Sequence, residues 1–260
     1  VYDSSQRQQG YICENGEIGF GKPLSGITYC MIEDNQHNIW LGTKGEGVYK
    51  LTPTQGSPKY KIENYKNSGD NLYSLSSNSV YSIFQDKLGR IWVGTYGGGL
   101  NLFDESQKRF INHKNNLKNY PIQYSSQIRI ISSDKYGNIC VGTTLGLIIF
   151  SPEFNTTGEI NYKSYVRVPG EKESISANDI YDICTTHDGD TYIATFGGGL
   201  NKINSWDNNN LPESFISYTR KDGLPSDVIL TLSEDKHNNI WVVTEGNITK
   251  FNLQTNSFET

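Results

Sequence analysis

The chain has 260 residues, 35% hydrophobic and 20% charged, with a net charge of −5 spread along it without blocks. A mildly acidic surface of this kind has nothing to attract a phosphate backbone, which argues against nucleic acid as a partner, and no apolar run approaches the ~20 residues that span a bilayer. Seventeen Tyr, ten Phe and four Trp beside 26 Gly and one Met predict strands and tight turns rather than helical bundles.

No leader segment is visible and Val1 is not an initiator Met, so the chain reads as a mature or excised piece of a longer protein. Residues 1–26 form a partial unit, in which Tyr11-Ile12-Cys13 predicts a lone strand and Asn15-Gly16 a turn. From Ile27 onward one pattern is written five times. The copies open on Trp40-Leu41-Gly42-Thr43, Trp92-Val93-Gly94-Thr95, Cys140-Val141-Gly142-Thr143, Tyr192-Ile193-Ala194-Thr195 and Trp241-Val242-Val243-Thr244. Successive openings lie 48–52 residues apart, and a period near fifty marks a repeat architecture.

The second copy shows the unit best. Val80–Phe84 alternates and reads as a first strand, and Asp86-Lys87-Leu88-Gly89 breaks it as a turn. Arg90–Thr95 is the second strand, Gly97-Gly98-Gly99 the second turn, Leu100–Phe103 the third strand and Lys108–His113 the fourth. Four short antiparallel strands per repeat predict an all-β fold, a β-propeller with about five four-stranded blades. A single propeller region would then cover 1–260, with blades at approximately 27–66, 79–114, 127–166, 179–219 and 228–260.

Alignment of the copies separates what repeats from what varies. A turn acid stands six residues before the opening residue as Asp34, Asp86, Asp134 and Asp235, with Thr186 in the fourth copy. The approach to the first strand recurs as Leu75-Ser76-Ser77-Asn78, Ile175-Ser176-Ala177-Asn178 and Leu224-Pro225-Ser226-Asp227, and copies three and five lose one residue in the second turn. An aromatic in the second strand wedges between blades and buries roughly 150–250 Å² at about 25 cal/mol per Å². The Gly two residues on lets the neighbouring sheet approach, and the Thr after it caps the next turn through a backbone hydrogen bond. Trp40, Thr43, Trp92, Thr95, Thr143, Thr195, Trp241 and Thr244 are therefore read as framework rather than chemistry. Gly98 is expected to need φ > 0 in its tight turn.

The combined pattern resembles the two-component regulator propeller repeat. Val80–Asp104 matches it almost throughout, Ile27–Leu51 and Ile180–Asn204 match well, and Ile128–Phe150 and Val228–Asn252 are weaker. The resemblance implies the periplasmic sensor region of a hybrid two-component histidine kinase, in which such repeats build seven-bladed propellers, usually in tandem, and glycan breakdown products are the usual signals. It implies no enzymatic activity in this region, and a histidine kinase elsewhere in the full-length protein. Five copies of a sevenfold pattern predict an open arc or part of a larger propeller, with the remaining blades or sensor domains as partners and self-association through uncovered end faces. No membrane contact is expected in this region. The alternatives are a propeller lyase of the streptogramin-inactivating type and a purely structural assembly module.

Chemistry-bearing residues are sparse. Cys13, Cys30, Cys140 and Cys184 are spread over different blades, with Cys140, Cys184 and Cys30 at packing positions, and read as free thiols rather than disulfides or a zinc site. His37, His187 and His237 fall in the turn between first and second strands, and His113 is placed on the outer edge. No nucleophile elbow, zinc helix or calcium loop is present, Asp207–Asn210 reading as a solvated loop, so no catalytic residue, metal or cofactor is expected.

Specificity is expected where the repeat varies. The residue after the shared Thr is Lys44, Tyr96, Thr144, Phe196 or Glu245, at equivalent places on one rim. Loops on a rigid scaffold carry function. Aromatics for sugar faces and charged groups for hydroxyls or acidic sugars make Lys44, Tyr96, Phe196 and Glu245 the candidate contacts for an oligosaccharide.

Overall fold

The computed structural model describes residues 10–56, 59–153 and 159–259; Val1 lies outside them. Five four-stranded antiparallel sheets follow one another along the chain, each a simple meander. Blade 1 comprises Ile27–Glu33, Ile39–Lys44, Val48–Pro53 and Tyr60–Tyr65. Blade 2 comprises Val80–Gln85, Ile91–Thr95, Gly99–Asp104 and Arg109–Asn112. Blade 3 comprises Ile128–Ser133, Ile139–Thr143, Gly146–Phe150 and Tyr162–Tyr165. Blade 4 comprises Ile180–Thr185, Thr191–Thr195, Gly199–Trp206 and Pro212–Tyr218. Blade 5 comprises Ile229–Glu234, Asn239–Thr244, Ile248–Asn252 and Ser257–Glu259. A two-stranded ribbon, Tyr11–Ile12 with Ile18–Gly19, precedes blade 1 and reaches its outer strand through a Glu17–Lys59 bridge.

The first strand of each blade lies against the first strand of the next, which puts these strands innermost. Between blades the core is apolar. Trp92, fully buried, packs with Ile128, Ile131, Val141 and Phe150, and Trp40 packs with Val80, Phe103 and Phe110. The glycine two residues beyond the wedge explains the closeness of the blades. A Cβ on Gly42, Gly94 or Gly142 would lie 2.6–2.7 Å from Val80, Ile128 or Ile180 of the following blade. Blade 4 fills the place with Ala194, and blade 5, which no further sheet follows among the described residues, with Val243.

The two ends of the array are uncovered. Ile83, Ile131, Ile183 and Leu232 are buried, but Met31 at the same position of blade 1 is 66% exposed. Trp40 and Trp92 are at most 1% exposed, but Trp241 of blade 5 is 41% exposed. A closed ring would cover both, so the five blades form an open arc.

Hydrogen bonds explain the repeating polar residues. The indole N–H of Trp40, Trp92 and Trp241 donates to Asp34, Asp86 and Asp235 at 2.7, 2.8 and 2.9 Å. The six-residue spacing is the length of the turn that this bond spans. Each shared Thr donates its hydroxyl to the carbonyl that closes the second turn, Thr95 to Gly99 at 2.9 Å and Thr195 to Gly199 at 2.8 Å, for example. Thr43, Thr143 and Thr244 do the same.

Two expectations are corrected. Gly98 is not at positive φ; its neighbours Gly97 and Gly99 are, at 99° and 69°. Gly98 is glycine because a Cβ there would sit 2.5 Å from Ser76 Oγ and 2.8 Å from Thr95 Oγ1. His113 is not on the outer edge. It is half-buried beside the Gly98 carbonyl, and burial, then Lys114, lowers its pKa.

Candidate functional site

Strand register fixes which groups share an end of the arc. Val80 pairs with Thr95 and Thr95 with Gly99, so the start of the first strand, the second turn and the inter-blade loop lie together. The turns between first and second strands, which bear His37, His187 and His237, lie at the opposite end. A cavity of about 450 Å³ opens there between blades 1 and 2, crossed by buried Lys50, which donates to both Glu105 carboxylate oxygens at 2.9 Å. This is an inter-blade staple with its charge already paired. The four cysteines are free, and burial raises the thiol pKa of Cys30 to about 12 and of Cys184 to about 11. Among the described residues no His, Cys, Asp and Glu cluster has metal-holding geometry. The Asp207 carboxylate caps its own loop at the Asn209 and Leu211 amides.

The rim end carries a different set of groups. Every first strand breaks register at its second or third residue, between Thr28 and Cys30, Val80 and Ser82, Ile128 and Ile130, Ile180 and Asp182, and Ile229 and Thr231. A bulge adds a residue outside the ladder and re-aims its side chain. The residues so placed are Tyr29, Tyr81, Arg129, Tyr181 and Leu230. Four of them, on successive blades, form a row that falls into two contacting groups. The Tyr29 and Tyr81 rings meet edge to face at 4.7 Å. Tyr81 stacks on Tyr96 at 5.0 Å, and Tyr181 on Phe196 at 5.3 Å. The Arg129 guanidinium lies 4.1 Å over the Tyr181 ring and grips both Asp179 oxygens at 2.7 and 3.0 Å. Burial opposes its charge, but Asp179 outweighs burial and raises the guanidinium pKa further.

The proposed rim residues therefore divide. Tyr96 and Phe196 belong to this row, Tyr96 half-buried and Phe196 48% exposed. Lys44 and Glu245 are exposed; Lys44 pairs by backbone with Ser79, and Glu245 accepts from Ser226 at 3.4 Å. Neither makes a ring or charge contact with the aromatic row. Thr144 is half-buried and donates to Gln127. Tyr29, Tyr81, Arg129 and Tyr181 were missed in the sequence because a bulge breaks the period-2 alternation that assigns faces. Their shared column in the repeat alignment was the available signal.

Residues 21–45, 74–97 and 223–246 match the family described as two component regulator propeller. These three segments carry the two-component regulator propeller repeat. The fifth repeat, whose pattern is weaker in the sequence, is among those matched. Over 76 residues, 29% of the chain, the sequence is 32% identical to a histidine kinase of Formosa agariphila, of which it covers 5%. The extracellular domain described as that of a hybrid two component system from B. thetaiotaomicron superposes at a TM-score of 0.64 and 20% identity. That match covers 91% of this chain and 28% of that one. A streptogramin B lyase superposes at 0.64 and 15% identity, over 99% of this chain and 73% of that one. At these identities the superpositions establish the propeller fold alone. The regulator propeller repeats span well under half of the kinase and sensor relatives they match. No helix among the described residues is long and apolar enough to cross a membrane.

Proposed function

We propose that this chain is a ligand-sensing part of the extracytoplasmic, periplasmic propeller region of a hybrid two-component sensor, and that its ligand is an oligosaccharide. The observation that carries the reading is the row Tyr29, Tyr81, Tyr96, Arg129, Tyr181 and Phe196 on the inner rim. Partly exposed aromatic faces on a rigid scaffold bind the C–H faces of sugar rings, and the polar groups between them fix orientation. The region itself is non-enzymatic on this reading, with catalysis left to a kinase elsewhere in the protein. Of the four histidines, His37, His187 and His237 sit at the far end of the blades from the aromatic row, and His113 lies at the rim end beside the Gly98 carbonyl, outside the row's ring contacts.

The test is calorimetry of the chain against a panel of plant and host oligosaccharides, with Phe196→Ala alongside. A stacked aromatic is worth about 1–2 kcal/mol, so Phe196→Ala weakens the bound sugar about tenfold. A ligand whose affinity is untouched by this change does not use the row. A chain that binds no oligosaccharide is an assembly module instead.

A further inference from the structure

Three of the four blade junctions are latched at the rim in the same way. The Asn78 carbonyl accepts N–H bonds from Gly45 and Gly47, Ser126 from Gly97 and Gly99, and Asp227 from Gly197 and Gly199, all at 2.8–3.1 Å. The junction of blades 3 and 4 has no such latch among the described residues. Its turn is one residue shorter, Leu145 N–H folds back on the Thr143 hydroxyl at 3.1 Å, and the Asn178 carbonyl receives neither bond. A second link is missing at the same place. Ser82 accepts the Ile131 amide and Asp182 the Leu232 amide across their junctions. Blade 3 has Ile130 at this position, and the Ile183 amide bonds to its own neighbour Asp182 at 2.8 Å. At the opposite end and the outer edge the junction is tied, by Thr185 to the Ser133 carbonyl and by Tyr165 to the Pro212 carbonyl.

We infer that the rim end of the blade 3–blade 4 junction is the ligand cleft, and that it takes a neutral, hydroxyl-donating sugar. The inference rests on the oligosaccharide-sensing reading above. The cleft offers acceptors: the Asn178 carbonyl and the Asp179 carboxylate. The cation that faces the Tyr181 ring, Arg129, is spent on Asp179 in a two-point ion pair, so the pair presents no net positive charge to a uronic acid. A sugar ring laid on the Tyr181–Phe196 stack brings its hydroxyls to these acceptors, occupying the place that a glycine turn holds at the other junctions. The rim end of this junction is held by the Arg129–Asp179 pair without the glycine latch, so occupancy also fixes the angle between blades 3 and 4.

The experiment compares the wild-type chain with a turn-restored variant, Leu145→Gly with one glycine inserted after it, which rebuilds the three-glycine turn. Probes are neutral xylo-, arabino-, manno- and galacto-oligosaccharides and oligogalacturonates, measured by calorimetry, with hydrogen exchange on the unliganded chain. The expected result is binding of a neutral sugar, weakened about tenfold or more in the turn-restored variant, and faster exchange at Leu145 and Gly146 than at Gly97 and Gly99. Where the inserted turn prevents folding, Phe196→Ala reads the same affinity loss. Equal affinity in both proteins places the sugar elsewhere and overturns the cleft while the sensing reading stands. Preference for oligogalacturonate overturns the neutral class. Slow exchange at Leu145 and Gly146 shows a latched junction and overturns the inference, and failure of every sugar to bind the wild type overturns the sensing reading with it.

Discussion

Trp92 donates its indole N–H to the Asp86 carboxylate at 2.8 Å, across a turn whose length sets the six-residue spacing between them. The bond recurs in blades 1 and 5 and is lost as a pair in blade 4, where Tyr192 and Thr186 replace both partners. The wedge thus does two jobs. Its ring fills the inter-blade core, and its N–H fixes the carboxylate that also accepts the Leu88 and Arg90 amides. Trp92→Phe keeps most of the apolar contact and removes the donor to a buried, charged acceptor. It should cost about 2–3 kcal/mol, counting the lost ring volume and the lost charge-assisted bond. Tyr192→Phe, with no acid to abandon, should stay within about 1 kcal/mol. Urea unfolding of both variants checks the ranking, and equal losses would refute the role given to the carboxylate.

The same turn acid behaves oppositely in blades 1 and 3. Burial opposes ionisation of Asp34, but the Trp40 indole and the Asn38 and Gln36 donors outweigh it and hold its pKa below the ordinary value of 3.8. At Asp134 burial prevails over the Asn138, Tyr136 and Gly137 donors and lifts the pKa above 3.8, since Cys140 stands where an indole would donate. The signs follow from proton linkage. Asp34 contributes stability above its unfolded-state pKa, and this is lost as pH falls through its depressed folded value. Asp134 binds its proton more tightly in the fold, so its ionisation costs stability as pH rises from the unfolded value through the raised folded one. Carboxyl-carbon NMR should show Asp134 titrating above Asp34; the reverse order would sink this account of the missing indole.

Gly97 and Gly98 should fail for different reasons. Gly97 has open space around its missing Cβ and a φ of 99°, so Gly97→Ala bears backbone strain of about 1 kcal/mol. Gly98 has an ordinary φ, but its Cβ would lie within 2.8 Å of the Ser76 carbonyl carbon and the Thr95 hydroxyl. Gly98→Ala should therefore cost about 2 kcal/mol or more, and Gly98→Val more again. Thermal melts that place Gly97→Ala lower than Gly98→Ala would show that the turn relaxes away from Ser76.

How much of this was legible in the sequence depends on whether a residue repeats. The blades, the Thr caps and the glycine approach came from columns that recur, and each serves the same neighbour in every copy. The reason for Gly98 was not legible, because Ser76 reaches it from over twenty positions away. Tyr81 and Arg129 were not legible as surface groups, because their bulges cancel strand alternation. The rim position was read from variability alone, which places Tyr96 and Phe196 in the aromatic row but also selects Lys44 and Glu245, which make no ring or charge contact with it.

The uncovered ends predict association. Met31 and Ile27 on blade 1 belong to the strand that covers the preceding wedge at every internal junction, and Trp241 on blade 5 is a wedge without a cover. One chain therefore carries both halves of a blade junction, and head-to-tail contact between copies is expected. Sedimentation velocity should show concentration-dependent species, reduced by Met31→Glu. A strictly monomeric profile at high concentration would show that the polar rims of these faces suffice to keep copies apart.

Arg129 should resist its conservative replacement. The guanidinium bonds Asp179 through two N–H groups while lying flat over Tyr181, a combination that an ammonium lacks. The pair is partly exposed, with side-chain accessibilities of 21% and 28%, so its stability contribution is discounted for solvent screening to about 1 kcal/mol. Its positional effect is larger, because it is the polar link at the rim of a junction that lacks the glycine latch. Arg129→Lys should therefore lower the melting temperature by only a few degrees, yet raise hydrogen exchange at Leu145, Gly146 and Ile180 well above that of Gly97, Gly99 and Ile128. Adding Asp179→Ala to Arg129→Lys should change little further, since the two residues act as one unit. If exchange rises equally at all four junctions, Arg129 stabilises the arc as a whole and does not set the angle between blades 3 and 4.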